Sequence, residues 1–253
     1  MRTKDLFGNN YTAVALCEYT EELSLLKEFI EIAEEAVRTK ASEQDASHKG
    51  ICYLFARAIV DYAKMAYDNI LIGHFKAAHM IMRTMVENLV CLDVIIHNEK
   101  KELWKYYYVQ SYRNTMKLAK KEMDPRTVSH IREMCSMYNI DDDFLEKGDK
   151  KKAYIELDYG WAYKVNKECN FSALCRLVSS VDREDFRMLS DYAHGTSLYQ
   201  KFFDSTSIEH IMNMFSIIYT VIERLIRMYC WDSVGDSFEE LAEILEYRFI
   251  NIN

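Results

Sequence analysis

Residues 74–97, HFKAAHMIMRTMVENLVCLDVIIH, decide the fold class of this chain. Apolar residues cover most of the circumference that a helix over this stretch would have, which is typical of a helix buried on several sides. A narrow polar stripe interrupts them at spacings of three or four residues: Lys76, His79, Arg83 and Glu87. The segment therefore predicts a central buried helix that carries a few polar groups.

The composition around this helix favours the same class. The 253 residues include only 7 Gly and 1 Pro, where ordinary usage of about 7% and 5% would give more than twice as many Gly and over ten Pro. Sheets and tight turns need those residues, whereas long helices do not. The sequence predicts an all-α fold, a helical bundle of about seven to nine helices in a single domain.

We expect that domain to span residues 1–253, with an N-terminal helix and loop in 1–45, the bundle core in 50–230 and a C-terminal helix in 236–253. Asp124-Pro125 predicts the end of one helix, over about 100–123, and the start of the next, since Pro suits the first helical turn. Ser237 and Glu240 have the spacing of a capping box for a helix over 238–250.

Charge and cysteine usage indicate the cellular setting. The formal charge of −8 argues against a protein that coats nucleic acid through bulk electrostatics, and the basic groups, including Lys117, Lys120 and Lys121, are interpreted as solvated helix faces. Seven cysteines without a C-x-x-C are typical of reduced thiols in a cytoplasmic protein. Charged residues interrupt every long apolar run, so we expect no membrane partner. No zinc pattern is present, and we expect no metal and no cofactor.

The first polar cluster is the pair Arg83 and Glu87 with His79 beside it. The two charged residues lie one helical turn apart, a spacing at which their side chains meet. One interpretation is an internal clamp that fixes the register of the helix. The other is a polar pocket in which Arg83 holds an anion and His79 borders it.

The second cluster lies in RMLSDYAHG, residues 187–195, and consists of Arg187, Ser190, Asp191 and His194. Seven residues make nearly two helical turns, so Arg187 and His194 share a face with Ser190 between them. A His at a helix C-terminus is favoured in its charged form by the helix dipole. A cationic His beside an Arg suits phosphate binding or proton transfer at a phosphodiester. The alternative is a His hydrogen-bonded to Ser190 or Asp191 within the bundle.

Together, Arg83-x3-Glu87 and Ser190-x3-His194-Gly195 resemble the two signatures of a large bacterial family of helical proteins of unknown function. Arg187-x6-His194 is similar in spacing and place to the motif of HEPN proteins, the helical ribonuclease domains of toxin–antitoxin and phage-defence systems. The second resemblance implies metal-independent RNA cleavage at the cleft of a homodimer, with Arg187 and His194 in the catalytic site. Met188 departs from that family, which usually has a polar residue there.

Three readings of function follow. The first is a HEPN-like ribonuclease, a defence or toxin effector with RNA as substrate and an antitoxin or defence protein as partner. His194 would be its acid–base, Arg187 would stabilise the charge of the phosphorane, and Ser190 would belong to the same catalytic site. Arg83 and Glu87 would support that site or line a second polar pocket. The second is a non-catalytic bundle for ligand sensing or protein interaction, which the acidic charge and Met188 favour. The third is a structural homodimer built through Tyr- and Met-rich helices.

Overall fold

A computed structural model describes residues 2–4, 10–12, 19–41, 46–146, 152–178 and 208–250. A short antiparallel strand pair precedes the helices, β1 over Arg2–Lys4 and β2 over Asn10–Thr12, with Thr3 opposite Tyr11. The all-α prediction is confirmed, with these α-helices in the described residues: α1 Thr20–Arg38, α2 His48–Leu71, α3 Phe75–His97, α4 Leu103–Leu118, α5 Pro125–Met137, α6 Asp142–Leu145, α7 Phe171–Cys175, α8 Ile208–Leu225 and α9 Asp236–Phe249.

The described residues fall into two compact units. The first unit comprises residues 2–4, 10–12, 19–41, 55–89 and 208–250, and the second comprises 46–54, 90–146 and 152–178. The organisation as a single domain stays a prediction. None of the helices in the described part of the chain combines the length and the apolarity that crossing a bilayer requires.

In the first unit, α1 packs against α8 and α9 through aromatic residues. The ring of Phe29 stacks on that of Phe238, with 5.1 Å between the ring centres, and its centre lies 5.3 Å from the centre of the Tyr219 ring. Arg248 on α9 then reaches back to α1, where its guanidinium donates to Glu22 at 2.8 Å and to Glu21 at 2.6 Å. Residues more than 200 positions apart in the sequence therefore close this unit.

The quoted segment forms α3, and its burial follows the prediction of a central buried helix. All seven residues from Leu89 to Ile95 are buried, so this part of the helix is covered on every side. The polar stripe is less buried than we expected. Lys76 is exposed, while the side chains of Arg83 and Glu87 are 25% and 27% exposed.

In the second unit, α4 and α5 form an antiparallel helical hairpin. The ring of Tyr138, which follows α5, meets those of Trp104 and Tyr108 edge-on, and His130 meets Tyr112 nearer the other end. We name the two ends of this hairpin for what surrounds them. The connection Lys117–Asp124 between the two helices is called the open end, because it is exposed to solvent, and the stretch Tyr138–Asp143 that leaves α5 is called the anchored end.

A segment of two 3₁₀ turns, Tyr154–Glu156 and Gly160–Ala162, packs on α4. The buried amide of Gln110 joins them: its nitrogen donates to the carbonyls of Ile155 and Leu157, and its oxygen accepts from the backbone N–H of Trp161 at 2.7 Å. Gly160 is required there because a Cβ would lie 1.7 Å from the carbonyl oxygen of Tyr154.

Helix ends test the predicted boundaries. Asp124 caps α5 by accepting from the N–H of Arg126, with Pro125 in the first turn, as the sequence predicts. The predicted helix over 100–123 is wrong at its end, because α4 stops at Leu118. The capping box of Ser237 and Glu240 is also wrong: α9 begins at Asp236 with Gly235 as its N-cap, so Ser237 lies inside the helix.

Three helices end in the same backbone motif, in which a left-handed residue follows the helix and two N–H groups bond back to the last turn. The left-handed residue is Gly73 after α2, Asn139 after α5 and Lys120 after α4, with φ of 76°, 51° and 57°. At the last of these, Lys121 donates to the Met116 carbonyl at 2.8 Å. Lysine has no local preference for this conformation, so the signal that ends α4 is absent from its sequence.

Candidate functional site

The first predicted cluster, on α3 in the first unit, is a pair of interacting residues with a buried neighbour. A guanidinium nitrogen of Arg83 lies 3.3 Å from a carboxylate oxygen of Glu87, one turn away. His79, one turn before Arg83, is buried, and its Nδ1 lies 2.7 Å from the Phe75 carbonyl. Because a carbonyl only accepts, Nδ1 carries a proton in this contact. Arg83 and Glu87 therefore meet as the spacing predicts, in a partly exposed pair.

The second predicted cluster lies outside the described residues. Arg187, Ser190, Asp191 and His194 all belong to the undescribed stretch 179–207. Their shared helical face stays a prediction from the sequence.

A third polar cluster, which the sequence analysis did not single out, surrounds Asp141 in the second unit. One carboxylate oxygen of Asp141 accepts from Tyr163 at 2.8 Å, from Lys164 at 2.9 Å and from Tyr106 at 3.1 Å. The Lys164 ammonium also lies 4.7 Å from the centre of the Tyr106 ring, within the range of a cation–π contact. We call these four residues the Asp141 node.

The node has consistent electrostatics. The hydrogen bonds from Lys164 and Tyr163 lower the pKa of Asp141, so the carboxylate is ionised throughout the neutral range. Burial and the bond to Asp141 raise the pKa of Tyr163, which keeps its hydroxyl as a donor. Burial lowers the pKa of Lys164, but the hydrogen bonds to Tyr106 and Asp141 outweigh it and raise that pKa overall. The node is a charged cluster that anchors one end of the hairpin, because its side chains form hydrogen bonds and an ion pair with one another.

A fourth arrangement is the pair Asp93 and His97 at the end of α3, also in the second unit. Asp93 is only 4% exposed, and its carboxylate lies 2.5 Å from Nδ1 of His97, whose side chain is 67% exposed. A carboxylate at Nδ1 fixes the imidazole so that Nε2 is left as the reactive nitrogen. This is the geometry of a supported acid–base, but its position at a helix end equally suits a buried carboxylate that needs a donor.

The described cysteines are all buried. They are six of the seven, and none of them forms a disulfide bond with another described cysteine. Burial, with a smaller contribution from Asp142, raises the pKa of Cys135 to about 11, so this thiol stays protonated at neutral pH. Within the same residues, no group of three or more His, Cys, Asp or Glu side chains has the geometry of a metal site.

The sequence contains a weak signal for one of the two polar groups that were not predicted, and none for the other. Asp93 is the acidic residue within the apolar run LVCLDVII, with a His four positions later. A buried carboxylate in such a run requires a donor, and one helical turn is where a partner is found. The Asp141 node joins residues 35 and 22 positions apart, and no local pattern predicts contacts at that separation.

Comparison with protein families gives one relationship. The model of DUF5677, a family of unknown function, matches residues 48–211. The matched segment contains both Arg83-x3-Glu87 and Ser190-x3-His194-Gly195. Neither the curated proteins nor the solved structures gave a match.

Proposed function

As this chain belongs to DUF5677, whose function is unknown, we propose from its own residues that it is a HEPN-like ribonuclease. In this proposal it cleaves RNA without a metal ion and acts as a defence or toxin effector. The observation that carries the proposal is the pairing of Arg187 with His194 in the predicted helix that ends at Gly195. An all-α fold and a family match that includes this motif are compatible with it.

The proposed chemistry needs one proton carrier and one cation. The 2′-hydroxyl of the RNA attacks the neighbouring phosphorus, the bond from phosphorus to the 5′-oxygen breaks, and a 2′,3′-cyclic phosphate forms. His194 transfers the proton that leaves the 2′-hydroxyl or the one that the 5′-oxygen gains. Arg187 stabilises the added negative charge on the phosphoryl oxygens. In the predicted helix Ser190 would lie one turn before His194, a spacing at which two side chains can meet.

The test is RNA cleavage by the purified full-length protein in EDTA. We expect cyclic-phosphate ends from the wild type and a rate at least about 100-fold lower for His194→Ala, since a positioned acid–base contributes about 10² to 10⁴. Arg187→Lys keeps the charge but loses the planar fork, so its rate should also fall. His74→Ala is the matched control, because it removes an exposed imidazole from the start of α3.

The outcomes separate clearly. Equal cleavage by wild type and His194→Ala would assign the activity to a contaminant or to other residues. No cleavage of single-stranded or structured RNA, together with unchanged cellular toxicity in His194→Ala, would remove the ribonuclease proposal.

The contact between Arg83 and Glu87 favours a second candidate, a ligand-sensing or protein-interaction bundle without catalysis. A guanidinium held by a carboxylate one turn away and partly open to solvent is a ready anion site. In this candidate a nucleotide raises the midpoint of thermal unfolding by several degrees at saturation. Arg83→Gln removes that shift and Arg57→Gln, which changes an exposed arginine on α2, leaves it unchanged.

A further inference from the structure

The open end of the α4–α5 hairpin exposes apolar side chains beside lysines. Leu118 is 87% exposed and Met123 is 82% exposed, the two highest values among the large apolar residues of the described chain. Three exposed lysines surround them in the sequence, Lys117, Lys120 and Lys121, and they outnumber the acidic residues Glu122 and Asp124 of the same connection. Folding does not explain this composition, because the turn itself would be satisfied by small or polar residues.

The other end of the same hairpin has the opposite charge. Met137, at the end of α5, is 71% exposed. Asp142 and Asp143 follow it and are exposed, and Glu133 lies one turn before it with its side chain 66% exposed. The Asp141 side chain is 51% exposed but paired with Lys164, so the excess negative charge at this end comes from Asp142, Asp143 and Glu133, which outnumber the exposed Arg132.

A stripe of exposed residues on α5 connects the two ends. Arg126, Ser129, His130, Glu133 and Met137 are all exposed, at spacings that put them on one side of a helix. From Arg126 to Met137 the stripe is about 16 Å long, since each residue adds about 1.5 Å. It is basic at its first end and acidic at its last.

We propose that this stripe, with the two ends of the hairpin, is the surface through which a second copy of the chain docks. Two stripes that meet antiparallel across a two-fold axis place the basic end of each against the acidic end of the other. A two-fold interface requires this self-complementarity, because each copy presents the same patch. Leu118 and Met123 then pack near Met137 of the second copy.

Charge complementarity supports a second copy as the occupant. A partner with a uniform charge would be repelled at one end of the stripe, whereas an inverted copy is attracted at both. The second unit also has nearly equal numbers of acidic and basic residues, although the whole chain has a formal charge of −8. Association through this unit therefore adds little net repulsion. The residues that define this surface do not include Arg187 or His194, and the docking proposal does not depend on RNA cleavage.

Sedimentation equilibrium of the full-length protein from about 1 to 100 μM tests the proposal. We expect self-association by the wild type that weakens with salt, since opposite charges at the interface are screened. Reversing the basic end (K117E/K120E/K121E) or the acidic end (D142K/D143K) should weaken it at least tenfold. Combining reversals at both ends should restore it, because the complementarity returns with inverted sign. L118E/M123E should weaken it regardless of salt.

The matched control, K27E/R57E/K76E, makes the same change in net charge at exposed basic residues of the first unit and should self-associate like the wild type. Far-UV circular dichroism verifies that each variant is folded. A wild type that stays monomeric to 100 μM overturns the proposal. So does self-association that the reversals at both ends leave unchanged, which would locate the interface elsewhere. Binding of a monomeric wild type to anionic vesicles that L118E/M123E abolishes would also overturn it, by assigning the open end to a lipid surface.

Discussion

The two ends of the α4–α5 hairpin use the same backbone motif with opposite surroundings. At the anchored end, Asn139 takes the left-handed position and the next residue, Ile140, is buried. At the open end, Lys120 takes that position and Lys121 follows it, while Leu118 is exposed. The anchored end thus has the residues that its motif favours. The open end does not. This difference indicates that closing the turn is not what determines the sequence of the open end.

The largest effect should come from Gly160, behind the anchored end. Gly160→Ala places a methyl group 1.7 Å from the Tyr154 carbonyl oxygen, so the two 3₁₀ turns must move apart. We expect a loss of at least about 3 kcal/mol in the free energy of unfolding, measured by urea denaturation. Gly235→Ala is the control, because a Cβ there meets nothing within 4 Å. Similar losses at both glycines would show that the anchored end does not depend on this close approach.

A smaller effect, dependent on pH, should come from Asp141→Asn. This change removes the charged partner of Lys164 and, because the Asp141 side chain is 51% exposed and screened by solvent, should cost no more than about 1 kcal/mol at neutral pH. The folded state lowers the pKa of Asp141 from its ordinary value of 3.8. Its ionised form therefore stabilises the fold above that value, and the contribution is lost as pH falls below it.

Urea denaturation from pH 7 to pH 3 measures the difference between wild type and Asp141→Asn. It should be constant above about pH 5 and shrink below pH 4. Asp143→Asn, at an exposed neighbour, should show much less of this dependence. A constant difference down to pH 3 would mean that the node contributes through shape rather than charge.

The smallest effect should come from the open end itself. Lys120→Gly relieves a left-handed backbone that lysine disfavours, and part of the gain is offset by the greater entropy of glycine in the unfolded chain. We expect a gain of about 0.5 kcal/mol, with self-association weakened because a lysine is lost. Lys117→Gly is the control inside α4 and should cost about 1 kcal/mol. A loss of stability in Lys120→Gly would mean that this lysine is held by local contacts.

These contrasts also explain how far the sequence could predict the structure. Helix α3 and the start of α5 at Pro125 were predictable, because apolar periodicity and Asp-Pro act locally. The end of α4 was not predictable, because lysine is a good helix former and the identity of residue 120 does not indicate a left-handed backbone. The capping box at Ser237 was a matching pattern two residues too late, because Gly235 is already the N-cap of the helix.

The polar clusters also differ in whether the sequence could predict them. The contact between Arg83 and Glu87 follows from their spacing on one helix. The Asp141 node and the hydrogen bonds of the Gln110 amide do not, because each joins α4 to residues far along the chain. Arg187 and His194 remain a prediction of the sequence, which the ribonuclease assay addresses directly.

The closure of the first unit by α9 has a consequence for protein synthesis. Glu22 leaves the ribosome 226 residues before Arg248, its partner, and translation at about 5 to 20 residues per second makes that interval roughly 10 to 45 seconds. During this time Phe29 lacks the ring of Phe238 on which it stacks in the finished fold. In the nascent chain, α1 is therefore an amphipathic helix whose apolar face is not yet covered, and we expect it to be a target for chaperones that shield apolar surface.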